Sequence, residues 1–535
     1  MELIVSCATG KGIVQDYVDR SPKALPFYGR HYAEEGVFED KALELDLRFD
    51  QDSRRRAADA LVVPVGADRS RLEAFVEDGG FMVTTGQQPG LYGGPLYSIY
   101  KGLTAVRVAE AAEAKLGKPV IPVFWVASDD HDWEEANHSY LINTENELCR
   151  FEVRGSKDQG RQSLHRIRLG EEADRVLDDF VASLPITEFT EELVSLLRAG
   201  FSSGSSIPQG FHDLLQHLLG RFGLFFTDAT DLTIKAASRD LVREELATSG
   251  TMEDVLRGTA DALESAGYGL QAAIMPEGVN LFVEGPHGRE RLYRDPSGFR
   301  LNTSQEVCSA ADVHASFDSD PASVSPNVLF RPIVESHVFP TLAYVAGPGE
   351  IGYYAQLSDY FKAHNIEMPI VWPRFSVATI EKKVGKVLKK FDVTLDDLQR
   401  PFHEIASGFA HDEIPIESKE AIGKLRASIS EGVSELQVTV SAVDPTLRAP
   451  AEQFRNQAFG TLKDLESKLA QAVKRKSAIA LSQLEKAQVH LMPNGKPTER
   501  VQGPMYYLAR YGGAFLDTLY ERFEVDLDRP PDAGR

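Results

Sequence analysis

The sequence predicts an α/β protein with a Rossmann-like doubly wound core, an inserted subdomain and a long α-helical coiled-coil domain. Three observations predict this class. Buried-strand patterns alternate with glycine-rich turns and helical patterns from about residue 80 to 375, which is typical of a parallel sheet covered by helices. Short strand patterns separated by Gly and Pro occur at about 268–325. Beyond residue 376, Lys- and Glu-rich helical patterns follow, with almost no strand pattern.

The first strand–helix–strand unit begins with the buried strand pattern FMVTT at 81–85. The turn GQQPGLYGG follows, and a helix opens at Pro95, where proline suits the first helical position. Its apolar residues recur at helical spacing, and they are Leu96, Ile99, Leu103 and Val106. A second buried strand, VIPVFWVAS at 120–128, completes the unit. Such a unit predicts a parallel sheet with a right-handed crossover.

Three further strand patterns complete the predicted core of residues 1–375. They are GLFFTDA at 223–229, TLAYVAGPGE at 341–350 and PIVWP at 369–373. Two segments without this pattern, about 143–220 and 268–325, are predicted insertions. The second contains the short strand patterns AAIM, NLFVE and ERLYR, which predict antiparallel strands.

The segment 376–488 is predicted to form an α-helical coiled-coil hairpin, broken near DPTLRAP at 444–450. Its apolar residues follow spacings of three and four, and they are Ile422, Leu425, Ile429, Val433 and Leu436, with Leu462, Leu465 and Leu469 in the later helix. This stripe fits pairing within one chain, and it equally fits pairing plus contact in a homodimer. The aromatic, turn-rich segment 489–535 is predicted to pack back on the core.

Composition excludes several classes of protein. The net charge of −22 disfavours nucleic acid and anionic membranes as partners, because binding to them needs clustered Lys and Arg. The isolated Cys7, Cys149 and Cys308 argue against a disulfide framework and a Cys-rich zinc site. The N-terminus lacks a secretory signal pattern, and the most apolar window, at 120–128, is shorter than the roughly 20 residues that span a bilayer. We expect a reduced, cytoplasmic protein.

The first candidate site is the turn TTGQQPGLYGGP, at the carboxyl end of a predicted parallel strand. Glycines allow a close approach of backbone N–H groups to an anion at a helix start, and glutamines add amide donors and acceptors. The sequence therefore predicts substrate-binding residues here, namely Gly86, Gln87, Gln88 and Tyr92. The spacing matches neither GxGxxG nor GxxxxGK[ST]. The alternative is a tight turn that needs glycine for its backbone angles.

The second candidate, SDDHDWEEANH at 128–138, directly follows the next parallel strand. Because ligands bind at the carboxyl ends of such strands, we predict catalytic roles for Asp130, His131 and Asp132. His131 is the candidate general base, oriented by a neighbouring carboxylate. Asp129 and His138 are predicted substrate ligands. One alternative is a metal site of His131, Asp132 and His138, although the spacing is not HExxH. The other is an Asp that caps a helix.

A third group of candidate substrate ligands comes from NVLFRP, AGPGEIGYYAQ and WPRFS. Arginine binds carboxylate or phosphate through its planar fork, and a glycine turn before a helix favours anions. The predicted ligands are Asn327, Arg331, Gly349, Tyr353 and Arg374. A surface arginine beside an ordinary turn is the alternative reading.

Three residues are candidate nucleotide ligands. Ser376 follows Arg374 near the start of the predicted coiled coil, and NGKPTER supplies Lys496 and Arg500 to a nucleotide phosphate. The alternative is structural, because Ser376 can cap the long helix and the two basic residues can anchor the tail.

Several motifs occur in an order that resembles one known family. They are TGQQPGLYGGPLYSIYKG, PVFWVASDDHDWEEANH, SPNVLFRPIVES, AYVAGPGEIGYYAQL and PNGKPTER. Together they resemble the bacillithiol biosynthesis cysteine-adding enzymes, a family of cysteine ligases, from about residue 80 to the C-terminus. The resemblance implies a Rossmann-type core similar to the cysteinyl-tRNA synthetase and mycothiol cysteine ligase group, with a coiled-coil domain that forms a homodimer. It also implies the last step of bacillithiol synthesis, the joining of L-cysteine to glucosaminyl malate.

This implied reaction assigns expected roles to the candidate residues. His131 would free the amine of its proton, and Arg331 or Arg374 would bind the malate carboxylates. The carboxyl group of cysteine must be activated, so ATP or ADP is the expected nucleotide, and no metal cofactor is assigned. The HxGH-type and KMSKS-type signatures of the synthetase-like group are absent, so direct use of ATP stays open. Two alternatives stay open as well: an enzyme of the same fold for another amino acid and amine, and a non-catalytic nucleotide-binding scaffold.

Overall fold

The computed structural model of the chain describes residues 1–7, 10–155 and 161–529. The described residues form two compact units. The core unit comprises the described residues of Leu3–Ala378 and Glu499–Arg535, and the helical unit comprises Thr379–Thr498 with Met1–Glu2.

The division falls at a different residue from the predicted start of the C-terminal segment. That segment is predicted to begin at residue 489, whereas the division follows Thr498. The helix Ala478–Leu491 continues through the predicted boundary, so the first residues of the segment stay with the helical unit. Residues 156–160 of the first predicted insertion and 530–535 of the tail lie outside the described residues.

Strands and helices are labelled in chain order. The strands are β1 (Glu2–Cys7), β2 (Phe81–Gln87), β3 (Val120–Val126), β4 (His138–Ile142), β5 (Leu148–Glu152), β6 (Phe225–Asp228), β7 (Gly278–Gly285), β8 (Gly288–Asp295), β9 (Gly298–Leu301), β10 (Val307–Cys308), β11 (Val324–Pro326), β12 (Thr341–Ala346), β13 (Ile370–Pro373) and β14 (Phe375–Ile380). The α-helices are α1 (Ile13–Val18), α2 (Val37–Asp46), α3 (Gln51–Asp59), α4 (Ser70–Glu77), α5 (Tyr97–Leu116), α6 (Trp133–Ala136), α7 (Glu172–Ser183), α8 (Thr190–Phe201), α9 (Ile207–Leu219), α10 (Leu232–Ala237), α11 (Arg239–Ser265), α12 (Ala310–Ser319), α13 (Arg331–Val338), α14 (Pro348–Tyr354), α15 (Ser358–Ala363), α16 (Lys382–Phe391), α17 (Phe402–Asp412), α18 (Ile416–Val443), α19 (Arg448–Lys476), α20 (Ala478–Leu491), α21 (Met505–Tyr511) and α22 (Ala514–Arg522). Within the described ranges, no helix combines the length and the apolar character needed to cross a membrane.

A parallel sheet of five strands, in the order β13, β12, β2, β3, β6, lies at the centre of the core unit. The chain passes from β2 through α5 to β3, and later returns to the other side of β2 with β12. The direction of strand succession therefore reverses between β2 and β12. In open α/β sheets this switch point, at the carboxyl ends of the strands, is where ligands bind. The sheet and its crossover helix confirm the predicted α/β, Rossmann-like class.

Helix α5 forms as the spacing predicts and covers the sheet. Ile99, Leu103 and Val106 are all buried. The helix ends at Gly117, whose φ of 64° lies in the left-handed region that favours glycine. Lys101 is also buried on this helix, and its charge must therefore be compensated inside the protein.

The second predicted insertion contains an antiparallel sheet in the order β10, β9, β8, β7, β11. NLFVE and ERLYR lie in β7 and β8 as predicted. The predicted strand AAIM at 272–275 is wrong. Gln356 Oε1 accepts hydrogen bonds from the backbone N–H groups of Gln271 (3.0 Å) and Ala272 (2.9 Å), and its Nε2 donates to the Ala272 carbonyl (2.9 Å). This side chain takes the backbone groups that a neighbouring strand would pair.

PIVWP forms β13, but it is not the last strand as predicted. β14 follows directly, and the change to helix comes at Lys382 instead of Ser376. In β14, Phe375 and Val377 are buried while Ser376 and Ala378 are half-buried. This alternation has the period of a strand, and the Lys-rich composition begins only at Lys382, after the strand has ended.

The helical unit contains the two long antiparallel helices of the predicted hairpin, α18 and α19. Arg426 on α18 pairs with Glu466 on α19 at 3.1 Å, and Val433 and Leu462 are buried between the helices. Other members of the predicted apolar stripe are only half covered: Leu425, Leu436 and Leu465 are 49%, 46% and 52% exposed. Pairing within the unit therefore leaves much of the stripe open.

Candidate active site

The core unit has a cavity of about 720 Å³ at the carboxyl ends of β2, β3 and β12. This volume is within the range of about 300–1,000 Å³ that is usual for small-molecule sites. The cavity brings together most of the predicted site residues, namely Gly86, Gln87, Gln88, Asp129, Asp130, His131, Asn327, Arg331, Gly349, Tyr353, Arg374 and Arg500.

Four predicted ligands lie elsewhere, and Tyr92, Ser376 and Lys496 are three of them. Tyr92 is fully buried, with its ring centroid 4.4 Å from that of Phe180, so it is a core residue. The Ser376 hydroxyl donates to Glu499 Oε2 at 2.8 Å and does not line the cavity. Lys496 is exposed in the helical unit. Of the predicted nucleotide ligands, only Arg500 lines the cavity.

Asp132 and His138 do not line the cavity either. Asp132 is the N-cap of α6, where its Oδ1 accepts the Glu135 N–H at 3.0 Å, as the capping alternative predicts. His138 Nδ1 contacts the Glu134 carbonyl oxygen at 2.8 Å. In the part of the chain that the structure describes, no group of three or more His, Cys, Asp or Glu side chains is arranged to hold a metal ion.

Asp130 and His131 form the charged centre of the cavity with a residue that sequence reasoning missed, Arg289 on β8. Asp130 Oδ1 accepts the His131 N–H at 2.6 Å and lies 3.4 Å from Arg289 Nη1. Gln88 Nε2 donates to Asp130 Oδ2. Burial by itself would raise the pKa of Asp130, but hydrogen bonding with His131 and the charge of Arg289 outweigh it and hold this pKa well below its usual range.

The His131 ring has two neighbours that make opposite demands on its Nδ1. Arg289 Nη1 lies 3.1 Å from Nδ1 and can only donate, so this contact requires an unprotonated Nδ1. Asp130 Oδ1 lies 3.4 Å from the same nitrogen and can only accept when ionised, so it favours a proton there. A proton on Nδ1 therefore favours the Asp130 contact and removes the acceptor of Arg289 Nη1, whereas a proton on Nε2 alone keeps that acceptor. This arrangement suits a group that exchanges protons during a reaction.

The two arginines predicted to bind substrate carboxylates already have protein partners. Arg331 Nη1 pairs with Glu335 Oε2, and its Nη2 donates to the hydroxyls of Tyr344 (3.2 Å) and Tyr353 (3.1 Å). Arg374 Nη2 pairs with Glu499 Oε1 at 2.7 Å. Both guanidinium groups line the cavity with their charge already balanced.

Asn327 and Gly86 have structural reasons for their positions. Asn327 Oδ1 accepts the backbone N–H groups of Leu329 and Phe330, both at 3.0 Å, and its Nδ2 donates to Asn280 Oδ1 at 2.9 Å. A Cβ on Gly86 would lie 3.1 Å from the Trp125 carbonyl oxygen, closer than neighbouring strands tolerate.

A buried ion pair lies beneath the turn that follows β2. Lys101 Nζ on α5 contacts Glu350 Oε2 at 2.6 Å and donates to the Gly86 carbonyl oxygen. Glu350 also accepts the Gly347 N–H at 2.7 Å and the Tyr344 hydroxyl at 2.5 Å. Burial lowers the pKa of Lys101, and the charge of Glu350 opposes that shift. The pair connects the ends of β2 and β12.

Sequence reasoning missed several polar residues of the cavity. A signal existed for two of them, because Arg289 and Arg291 are two residues apart on β8 and so lie on one face of the strand. A second signal was Lys101, which lies among apolar residues in the first turns of α5. The missed residues are Tyr97, Lys101, Glu135, Gln271, Arg289, Arg291, Tyr344 and Glu350.

Comparison with known proteins gives consistent matches over most of the chain. Residues 1–375 match the family described as bacillithiol biosynthesis BshC, N-terminal Rossmann-like domain, and residues 377–526 match its C-terminal coiled-coil domain. A cysteine ligase BshC by name, from Salinibacter ruber, is 32% identical over 459 residues, which cover 86% of this chain and 83% of the relative. Proteins of the same name from Chlorobium phaeobacteroides and Heliobacterium modesticaldum are each 31% identical, over 82% and 88% of this chain and 80% and 86% of their own lengths.

Proposed function

The chain belongs to the bacillithiol biosynthesis BshC family, and on this premise we propose that it joins the carboxyl group of L-cysteine to the amine of glucosaminyl malate. The resemblance inferred from the sequence motifs is confirmed at the level of the family. Membership makes the chain an enzyme of bacillithiol biosynthesis, a ligase that forms a carbon–nitrogen bond. The two substrates, and the place of the reaction as the last step, are the proposal.

The observation that carries the proposal is the Asp130–His131 pair inside a cavity of substrate size. An amine attacks a carboxyl carbon only after it loses its ammonium proton, so the reaction needs a base beside the amine. The proposal requires the tautomer with its proton on Nδ1, which Asp130 favours and Arg289 opposes; in that tautomer Nε2 is free to accept a proton from the substrate. Asp130 then holds the ring and stabilises its protonated form, as an orienting carboxylate does in other enzymes.

Asp129 is the proposed partner of a substrate ammonium group. It lines the cavity and is only 7% exposed. Lys235 and His165 interact with it electrostatically, but no side chain in the described ranges forms a salt bridge of 4.0 Å or less with it. Burial of a carboxylate is costly, and direct contact with a substrate ammonium group would offset that cost. Both substrates carry an amine, so this carboxylate suits either one.

The other predicted ligands inside the cavity are proposed to shape and orient the substrates. Gln88 positions Asp130. Arg331 and Arg374 are proposed to position the side chains with which they are paired, Glu335 and Glu499. The remaining members of this group are Gly86, Gln87, Asn327, Gly349 and Tyr353.

ATP, with ADP as its product, is the proposed source of activation for the cysteine carboxyl group. Free carboxylate does not react with an amine. Transfer of the γ-phosphoryl group of ATP to the carboxyl oxygen would release ADP and give an acyl phosphate, from which phosphate leaves when the amine attacks. Arg500 lines the cavity and is exposed, so it is the predicted nucleotide ligand that is best positioned to meet a phosphate.

Incubation of the purified chain with L-cysteine and glucosaminyl malate, with and without Mg-ATP, tests the proposed function. We expect bacillithiol, detected by mass spectrometry, only when Mg-ATP is present. Product without ATP would refute the proposed use of a nucleotide and would support the proposed pair of substrates. No product in either condition, together with product from another amino acid or amine, would refute the substrate pair.

A homodimer formed through α18 and α19 is proposed as well, since half-exposed leucines remain along both helices. We expect the double substitution Leu425→Glu and Leu436→Glu to yield a monomer by light scattering, because charges are costly in an apolar seam. Lys424→Glu, an exposed neighbour of the stripe, is the control and should leave the dimer intact. A dimer that survives the double substitution would move the interface to another surface.

A further inference from the structure

The arginines of the cavity are not all balanced by acids. Five arginines line it, and three have a carboxylate partner: Arg289 with Asp130, Arg331 with Glu335 and Arg374 with Glu499. Among the described residues, Arg291 and Arg500 form no ion pair. Arg500 is exposed and so is solvated by water, whereas Arg291 is half-buried.

Arg291 lies beside the catalytic centre because of the register of the antiparallel sheet. It is opposite Phe282 across β7 and β8, and its guanidinium carbon lies 5.3 Å from the centroid of that ring. Arg289, two residues earlier, lies over the same ring at 4.1 Å, and the His131 ring centroid is 5.6 Å from it. Arg289, Arg291 and the His131 ring therefore lie close together around the Phe282 ring in the cavity.

The neighbouring Arg289 already has protein partners for all three of its guanidinium nitrogens. Its Nε donates to Ser325 Oγ at 2.8 Å, its Nη2 to the Pro326 carbonyl oxygen at 2.8 Å, and its Nη1 contacts Asp130 and His131. Arg291 has fewer partners, namely a hydrogen bond with the Tyr293 side chain and the contact with the Phe282 ring. Burial lowers the pKa of Arg291, Tyr293 opposes this shift, and the charge of Arg289 adds to it. Because the described residues offer this guanidinium no carboxylate, an incoming anion would offset the cost of burying its charge.

We infer that Arg291 binds a carboxylate of the malyl group and so selects the amine substrate; this inference rests on the proposed function. A guanidinium presents two parallel N–H donors that match the two oxygens of a carboxylate. One unpaired guanidinium balances the single negative charge of one carboxylate. A malyl carboxylate on Arg291 places the rest of that substrate beside His131, where its amine must lose a proton.

The test compares Arg291→Gln and Arg291→Lys with Arg300→Gln in the full chain. Arg300 lies on β9 of the same sheet, hydrogen-bonds to Gln305 at 2.7 Å and does not line the cavity. We expect Arg291→Gln to raise the KM for glucosaminyl malate about 10–100-fold, from the usual strength of a charged hydrogen bond. The KM for L-cysteine should stay within about two-fold. The KM of Arg291→Lys for glucosaminyl malate should lie between those of the unsubstituted protein and Arg291→Gln. Lysine keeps the positive charge but lacks the two parallel N–H donors of the guanidinium.

Direct binding separates this inference from the proposed function. Calorimetric titration with malate alone should detect binding to the unsubstituted protein and to Arg300→Gln, and loss of binding in Arg291→Gln. That result without any bacillithiol production would support the carboxylate subsite and refute the proposed reaction. Unchanged malate binding and an unchanged KM in a folded Arg291→Gln protein would overturn the inference. Loss of inorganic phosphate binding with malate binding intact would overturn it too, because the subsite would then hold phosphate.

Discussion

Replacement of Asp130 with Asn, or of His131 with Gln, is expected to lower the rate of product formation by about 10²–10⁴-fold, the usual contribution of a general base. His131→Gln removes the group that accepts the amine proton. Asp130→Asn removes the charge that stabilises protonated His131, and it also leaves Arg289 without its carboxylate. The measurement is the rate at saturating concentrations of both substrates, followed by mass spectrometry.

The adjacent Asp132 provides a matched control for this prediction. Asp132 caps α6 outside the cavity, and Asn caps a helix about as well as Asp. Asp132→Asn should therefore keep the rate within about two-fold. A loss in Asp132→Asn equal to that in Asp130→Asn would contradict the assignment. Full activity in His131→Gln would contradict the assignment of His131 as the general base.

The pH dependence of the rate tests whether Asp130 acts as an ionised carboxylate. The pKa of Asp130 is held well below its usual range, so this carboxylate stays ionised throughout the mildly acidic region. We therefore expect protonation of Asp130 to cause no loss of activity above about pH 4, the usual pKa of an aspartate. A loss above this pH that is present in the unsubstituted protein and in Asp132→Asn but absent from the residual activity of Asp130→Asn would contradict this expectation.

The strand-end position of Asp130 and Gln88 was predictable, and the identity of their partners was not. Each residue follows a buried strand pattern, and the carboxyl ends of neighbouring parallel strands meet at one edge of a sheet. Arg289, which contacts Asp130, lies 159 residues further along the chain. No local pattern determines which strand of an inserted sheet faces that edge, because tertiary packing sets it.

The two arginines predicted to bind substrate carboxylates, Arg331 and Arg374, differ in whether the sequence reveals their partners. Arg331 and Glu335 are four residues apart on α13, a spacing that pairs opposite charges on a helix, so this ion pair was readable from the sequence. Glu499, the partner of Arg374, is 125 residues away, so this ion pair could not be predicted from the sequence. Asp132 carried a readable signal as well, since an Asp three residues before a Glu at a helix start is typical of a cap.

Replacement of Lys101 with Met is expected to lower the free energy of unfolding of the core unit by about 3–5 kcal/mol, the usual cost of removing one partner of a buried ion pair. The Lys101 and Glu350 side chains are 3% and 18% exposed, so Glu350 would keep its charge in a poorly solvated place. The Gly86 carbonyl oxygen would lose its donor at the same time. The measurement is urea denaturation followed by tryptophan fluorescence.

A second substitution distinguishes an uncompensated charge from a simple loss of packing. Glu350→Gln removes the negative charge and keeps the shape, so the double variant Lys101→Met with Glu350→Gln should regain a substantial part of the lost stability. If packing around the lysine stem were the cause, the two losses would add. Additive losses would therefore contradict a role for the ion pair. Recovery would mean that the charge of Glu350, which also binds the Gly347 N–H and the Tyr344 hydroxyl, is what fixes Lys101 inside the fold and ties the end of β2 to the start of α14.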